Sequence, residues 1–285
     1  KKRRAVNIFL GLWGALLHPS FVHSRPLDFF SNFVCKEVRT MSSIIGHIFG
    51  PSGDEIVMDF ADLNEEALFA VDRKEWRLAV DLFRYSVYSL NQERSKDRRP
   101  LPPERRRHYE LLPISLELDD EEPFTSSTSS QEGHFFLYDT AFLIEYDDLW
   151  YAYRYAIPTI VYNMALTLHV DGLATPDRIK LDQARQLYIK AIDFFMSTLQ
   201  GRNFLEQTRL GRLRLLFLSL SNNYGHCCSL LSDNNGMRRA QALLDTLFSN
   251  PYSLRSLGKD DMIFFRMTLV IGILRDTLPT IAPTA

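Results

Sequence analysis

The sequence YNMALTLHVDG at positions 162–172, followed by LDQARQLYIKAIDFF at 181–195, predicts two amphipathic helices joined by a short break. A second pair, NNYGHCCSLL at 222–231 and MRRAQALLDTLFSNP at 237–251, repeats the pattern. Two helices cross closely only where a side chain is small, so each pair predicts a helical hairpin. The first helices carry the small residues Ala165 and Gly225, and the second helices carry Ala184 with Tyr188 and Ala240 with Leu244.

A third, partial copy lies earlier in the chain, in AVDRKEWRLAVDLFRYSV at 70–87. Ala79 and Phe83 repeat the spacing there, and Ala67 is the small residue of the preceding helix. A lone hairpin cannot bury its apolar face, so neighbouring hairpins must stack. The sequence therefore predicts an all-α, helical-hairpin α-solenoid. A generic helical bundle with chance alanine spacing is the alternative, because the three copies are unevenly spaced.

Composition divides the chain into five parts. We predict a basic and apolar leader at 1–40, a first helical hairpin at 41–92, and a disordered insertion at 93–134. The insertion is rich in Arg and Pro, then acidic, then rich in Ser and Thr, so it can bury little apolar surface to offset its ordering entropy. A helical repeat domain follows at 135–279, with a tail at 280–285.

The repeat domain opens with an apolar run. Phe135, Leu137, Phe142, Ile144 and Tyr146 predict an extended segment or a short strand. A long apolar helix follows, and Pro158 within it predicts a kink or a division into two helices.

The first residues have the order of a targeting signal. Lys1-Lys2-Arg3-Arg4 precedes an apolar run over 5–17, as in a secretory signal or anchor. This run is shorter than the roughly 20 residues that span a bilayer. An upstream leader without structural role is the favoured interpretation. We therefore expect a cytoplasmic protein, or a secretory or organelle-targeted one if the leader is genuine, with a membrane contact only in that second case.

Charge and motif content argue against several function classes. The chain has 33 Lys and Arg against 35 Asp and Glu, a net charge of −2, so no global attraction to nucleic acid is expected. No Gly-rich phosphate loop, H-E-x-x-H, G-x-S-x-G or C-x-x-C motif is present. The three cysteines do not form a disulfide framework. We expect no catalytic residues, no metal and no cofactor.

The paired segments resemble tetratricopeptide repeats. In that family a small residue lies within helix A, and alanine, a large residue and alanine mark helix B. Ala165, Ala184, Tyr188 and Ala191 match this pattern in one unit, and Gly225, Ala240 and Pro251 match it in the next. Combined with the aromatic run FFLYDTAFLI, the units are also similar to lineage-specific proteins of diatoms and related algae, a similarity that implies no chemistry.

The tetratricopeptide resemblance implies a concave groove lined by the first helix of each hairpin. It places eight candidate binding residues there: Tyr162, Asn163, Leu166, His169, Asn222, Asn223, His226 and Ser229. Family members that bind a C-terminal carboxylate pair such asparagines with Lys or Arg. Here Tyr162 and Asn222 occupy the positions of those basic residues, so a carboxylate clamp is not expected. Hydrogen bonding between helices is the alternative role for the asparagines.

These patterns lead to one functional expectation. We expect a non-catalytic protein–protein interaction scaffold that binds a peptide or protein segment in its helical groove. The alternative is a divergent enzyme, or an enzyme subunit, with a pocket that no motif reveals.

Overall fold

The structure is a computed structural model. It describes residues 59–96, 109–116, 135–146, 153–199, 211–248 and 257–277. The predicted leader at 1–40 and tail at 280–285 lie outside the described residues, as does 41–58 of the predicted first hairpin.

The described residues are mainly helical, which confirms the helical prediction in its broad form. The same residues also form two short strands, and their mainly helical content is consistent with the all-α prediction. The helices are α1 Phe60–Asp72, α2 Trp76–Lys96, α3 Tyr153–Ala174, α4 Arg178–Leu199, α5 Gly211–Leu230, α6 Asn234–Phe248 and α7 Lys259–Thr277, and the strands are β1 Tyr109–Ser115 and β2 Thr140–Tyr146.

Three helix pairs are joined by turns of the same construction. The turns between α1 and α2, α3 and α4, and α5 and α6 place their middle residues Lys74, Pro176 and Ser232 at positive φ (59°, 26° and 61°). In each turn the next N–H bonds the carbonyl oxygen five residues earlier: Glu75 to Ala70, Asp177 to Gly172 and Asp233 to Cys228. Such bonds satisfy carbonyls that a helix end leaves free. The shared hydrogen bond makes the three turns alike, although Pro176 has a smaller φ than Lys74 and Ser232.

The alanines that marked the second helices are buried at the helix contacts. Ala79, Ala184 and Ala240 are each fully buried. Two glycines mark the closest approaches between paired helices. A β-carbon at Gly172 would lie 3.1 Å from the Leu181 side chain, and one at Gly236 would lie 2.3 Å from the Cys228 sulfur. Glycine therefore permits the close approach of paired helices at these two positions, neither of which the sequence analysis assigned to a helix contact.

The helices pack in chain order. Each contacts the next one along the chain, and α1 also contacts α3, α3 contacts α5, and α5 contacts α7. As a result α1, α3 and α5 form one continuous surface. β2 lies on this surface against α1 and α3, and β1 contacts α5.

β1 and β2 form an antiparallel sheet in which Tyr109 pairs with Tyr146 and Ser115 pairs with Thr140. β1 lies inside the predicted disordered insertion at 93–134, so that prediction is wrong for residues 109–116, and α2 also extends past residue 92 to Lys96. The error has a physical cause. β1 gains its backbone partners from a strand far along the chain, and local composition does not reveal such a partner. The extended segment predicted from the apolar run is confirmed by β2.

Pro158 does not divide the long apolar helix, because α3 runs from Tyr153 to Ala174 with the proline inside it. Since proline lacks an N–H, this helix lacks the backbone bond that residue 158 would otherwise donate to the carbonyl oxygen of residue 154.

Candidate functional site

The surface formed by α1, α3 and α5 holds a segment of the same chain, residues 135–146, in an extended conformation. Asn223, on α5, binds both backbone groups of Tyr138. The Tyr138 N–H donates to Asn223 Oδ1 at 2.9 Å, and Asn223 Nδ2 donates to the Tyr138 carbonyl oxygen at 2.8 Å. One carboxamide thus satisfies the donor and the acceptor of a single residue.

Asn163, on α3, binds Phe142 in the same way. The Phe142 N–H donates to Asn163 Oδ1 at 3.0 Å, and Asn163 Nδ2 donates to the Phe142 carbonyl oxygen at 2.7 Å. Asn64, on α1, donates to the same carbonyl oxygen at 3.2 Å and accepts a bond from Asn163 Nδ2 at 3.0 Å. The asparagines therefore bind a segment of their own chain, and Asn163 with Asn64 also links two helices, which is the alternative role considered for them.

The sheet register explains why these backbone groups face the helices. Phe142 lies opposite Pro113, which has no N–H to give the ladder. This position is therefore a non-hydrogen-bonded pair, and the Phe142 backbone groups point away from β1. The Tyr162 hydroxyl donates to the Thr140 carbonyl oxygen at 2.9 Å, two residues away on the same edge. The Asp139 carbonyl oxygen alternates with these groups, so it points to the β1 side and accepts from the Leu116 N–H at 3.3 Å.

Four of the eight residues predicted to line the groove bind the segment. Besides Asn163, Asn223 and Tyr162, Asn222 donates through Nδ2 to the Phe136 carbonyl oxygen at 2.8 Å. All four are buried beneath the segment. The chain's own backbone therefore covers four of the residues that the sequence analysis assigned to partner binding.

The other four predicted residues lie elsewhere. Leu166 is buried in the core, and His169 is fully buried in α3. The Ser229 carbonyl oxygen accepts the Ser232 N–H in the turn after α5. His226 is partly exposed, and its ring lies 4.9 Å from that of His169. The structure thus brings the two histidines together and leaves Ser229 at the end of its helix.

The histidine pair is held in the neutral form. His169 Nδ1 lies 3.4 Å from the Tyr188 hydroxyl. His169 Nε2 and His226 Nδ1 are buried without a hydrogen-bond partner among the described residues. Burial lowers the pKa of His169 well below its usual range, with a further lowering from His226. Burial also lowers the pKa of His226, to about 4. Neither ring carries a charge at neutral pH.

Gly225 makes room for the segment. A β-carbon at Gly225 would lie 2.5 Å from a ring carbon of Phe135, closer than such atoms approach one another. The sequence assigned this small residue to the approach of two helices. That assignment is corrected, because the neighbour that needs the space is the Phe135 ring.

Tyr138 connects the segment to α7. Its hydroxyl donates to Asp261 Oδ1 at 2.6 Å, and its ring lies 5.1 Å from that of Phe264 and 4.8 Å from that of Phe265. Burial, followed by the bond to Asp261, raises the pKa of Tyr138 well above its usual range, so the hydroxyl keeps its proton. Sequence reasoning missed Asp261 and Asn64, since neither belongs to a repeat position that marked the groove.

A second concave feature has a different character. An open cleft of about 580 Å³ lies between the start of α4 and the turn after α5, and Arg185 forms part of its wall. Arg185 binds Asp182 at 2.7 Å and Asp233 at 3.0 Å, so its charge is already paired. None of the eight predicted groove residues lines this cleft.

Two other kinds of site are absent from the described ranges. There, no three or more His, Cys, Asp or Glu side chains are grouped so as to hold a metal ion. Across the same ranges, no helix has both the length and the apolar character needed to cross a bilayer.

The geometry therefore offers one site built from several helices: a surface whose asparagines bind the backbone of an extended segment. Comparisons with protein-family models, with curated proteins and with solved structures found no match to this chain.

Proposed function

We propose that the protein is a non-catalytic scaffold that binds an extended segment of a partner protein along the surface of α1, α3 and α5. The observation that carries this proposal is the paired binding of backbone N–H and C=O groups by Asn163 and Asn223. Every polypeptide offers these groups, so a segment from another protein can make the same bonds. The chain's own segment 135–146 is then the resident occupant that a partner replaces.

We further infer that the hairpins stack as in tetratricopeptide proteins. The support for this arrangement is the contact of each first helix with the next, α1 with α3 and α3 with α5, together with the three similar turns. Such a stack gives the first helices a shared surface that is long enough for an extended segment.

Replacement of the resident segment has a clear energetic requirement. Phe135, Tyr138, Phe142 and Ile144 are buried, and each large apolar side chain contributes roughly 1.5–3 kcal/mol when it is removed from water. The resident segment also competes at the high effective concentration of a tethered ligand. A partner must therefore bury comparable aromatic surface, and weakening the resident segment should expose the binding activity.

The test uses a fluorescent peptide with the sequence FFLYDTAFLIEY of residues 135–146, carrying a lysine tail for solubility. Its binding to the full chain is measured by fluorescence anisotropy. We expect tighter binding to the Phe142→Ala chain, whose resident segment is weakened, than to the wild-type chain. Adding Asn163→Ala to that chain should abolish binding, whereas adding Asn235→Ala, at an exposed asparagine, should not.

Far-UV circular dichroism identifies the variants that remain folded. Phe142→Leu replaces Phe142→Ala if the alanine variant unfolds, since it leaves a smaller cavity. A folded, weakened chain that does not bind the peptide would overturn the proposed function. Binding that is indifferent to Asn163→Ala would overturn it as well.

A further inference from the structure

We propose that the resident segment reveals the sequence of the partner segment: an aromatic residue, a tyrosine three positions later and a second aromatic residue four positions after the tyrosine. These positions correspond to Phe135, Tyr138 and Phe142. The inference rests on the proposed function, and it adds specificity to a surface whose backbone bonds alone would accept any extended chain. Three features of the surface carry it.

The first aromatic position is set by Gly225. The Phe135 ring fills the space that a β-carbon at Gly225 would occupy, with distances of 2.5, 2.6 and 2.7 Å to three ring carbons. Phe135 is itself buried. The flat face of a ring fits against a bare helix backbone, and a smaller side chain would leave that space empty.

The tyrosine position is set by Asp261. The Tyr138 hydroxyl reaches this carboxylate at 2.6 Å while its ring packs against the aromatic pair Phe264 and Phe265. Phenylalanine would fill the same space without satisfying the acceptor. A segment without the hydroxyl loses this bond to a charged group, and such bonds contribute about 1.5–3 kcal/mol.

The second aromatic position is set by Tyr162. The fully buried Phe142 ring meets the Tyr162 ring edge-on at a centroid distance of 5.3 Å. Two of the residues between the three anchors, Phe136 and Asp139, are less constrained. Phe136 is 48% exposed and Asp139 is half-buried, so the surface does not select their side chains.

The test measures a panel of peptides against the full chain with a weakened resident segment. Replacing the tyrosine of the peptide by phenylalanine should weaken binding about tenfold or more, since hydrogen bonds to charged groups contribute about 1.5–3 kcal/mol. In the Asp261→Asn chain, this difference should shrink. Replacing the second phenylalanine of the peptide, at the half-exposed Phe136 position, by alanine is the matched control and should leave the affinity unchanged within about twofold.

A paired exchange tests the first anchor. The Gly225→Ala chain should reject the peptide that begins with phenylalanine and accept one with alanine at that position, because the added methyl group takes the place of the ring. A scrambled peptide that binds as tightly as the native sequence would overturn this inference and leave the proposed function standing. If no peptide binds to any folded chain, the proposed function itself fails, and the inference with it.

Discussion

The Phe135 ring lies so close to Gly225 that a β-carbon on the glycine would come within 2.5 Å of it. The two residues are far apart in the chain, and their contact fixes one end of segment 135–146 on α5. The effect of substituting Gly225 on stability should therefore depend on whether the Phe135 ring occupies this space.

Gly225→Ala should destabilise the protein by about 1–3 kcal/mol, because an extra methyl group overpacks a filled space. In a Phe135→Ala background the sign should reverse. Alanine is then the better helix former, by up to about 1 kcal/mol, and nothing opposes it. Urea unfolding of the four chains in this cycle measures both effects. A destabilisation that persists without the Phe135 ring would show that the glycine has another role.

Asn163→Ala should lower the free energy of unfolding by about 2–4 kcal/mol. The variant leaves the Phe142 N–H and C=O groups buried, and each unpaired group costs about 1–3 kcal/mol. Asn64 still reaches the carbonyl oxygen, which keeps the loss below that of two orphaned groups. The control is Asn235→Ala at an exposed site, where a change within about 0.5 kcal/mol is expected. Equal effects of the two variants would contradict the role assigned to Asn163.

Stability should decrease in mild acid because of the histidine pair. An unfolded histidine takes up its proton near pH 6.5, whereas folded His226 does so only at about pH 4, and the pKa of folded His169 is also well below its usual range. The unfolded state therefore binds more protons in this window. The free energy of unfolding contributed by the pair falls as the pH decreases from about 6.5 through 4.

The Asp139 carboxyl group acts in the opposite direction. Burial raises the pKa of this half-buried residue, so the folded state takes up its proton first and gains relative stability as the pH falls. The difference between the wild-type chain and a His169→Gln, His226→Gln chain isolates the histidine contribution. The wild-type free energy of unfolding minus that of the double variant, measured by chemical unfolding at several pH values, should decrease from pH 7 toward pH 4. A constant difference would rule out the protonation of the pair as its cause.

The thiols of Cys227 and Cys228 should be unreactive until the protein unfolds. Both are buried, and burial raises the pKa of Cys227 well above its usual range and that of Cys228 to about 12. Since the thiolate is the nucleophile, alkylation at pH 8 should be slow in the native protein. Mass spectrometry across a denaturant series should show labelling at these two sites only through the unfolding transition. Rapid labelling in native buffer would contradict the packing of α5.

The helical pairs could be predicted because their signal is local. The spacing of Ala184 and Tyr188, repeated by Ala240 and Leu244, reflects which face of a helix meets its neighbour, and the structure buries all four residues. The apolar residues of the 135–146 run also favoured an extended segment, and β2 confirms it.

The binding of segment 135–146 to the surface of α1, α3 and α5 could not be predicted from such local signals. Its geometry depends on pairs such as Asn223 with Tyr138 and Asn64 with Phe142, which lie 85 and 78 residues apart. An asparagine on a helix has the same local sequence signature whether it binds another helix, a partner or a remote part of its own chain. The one local indication was Gly225. Glycine destabilises the interior of a helix, so its presence there indicates that another group approaches closely.

Segment 135–146 crosses α5, α3 and α1, and its tyrosine hydroxyl binds α7. This path couples the stability of the helical pairs to one another. Arrays whose units touch only their neighbours can unravel one unit at a time from an end. Here segment 135–146 contacts one helix of each of the three helical pairs. The unfolding of any one pair therefore also removes contacts that hold the segment on the other two. We therefore expect the protein to unfold in a single cooperative transition. A fragment that ends before residue 135 should not adopt the native fold.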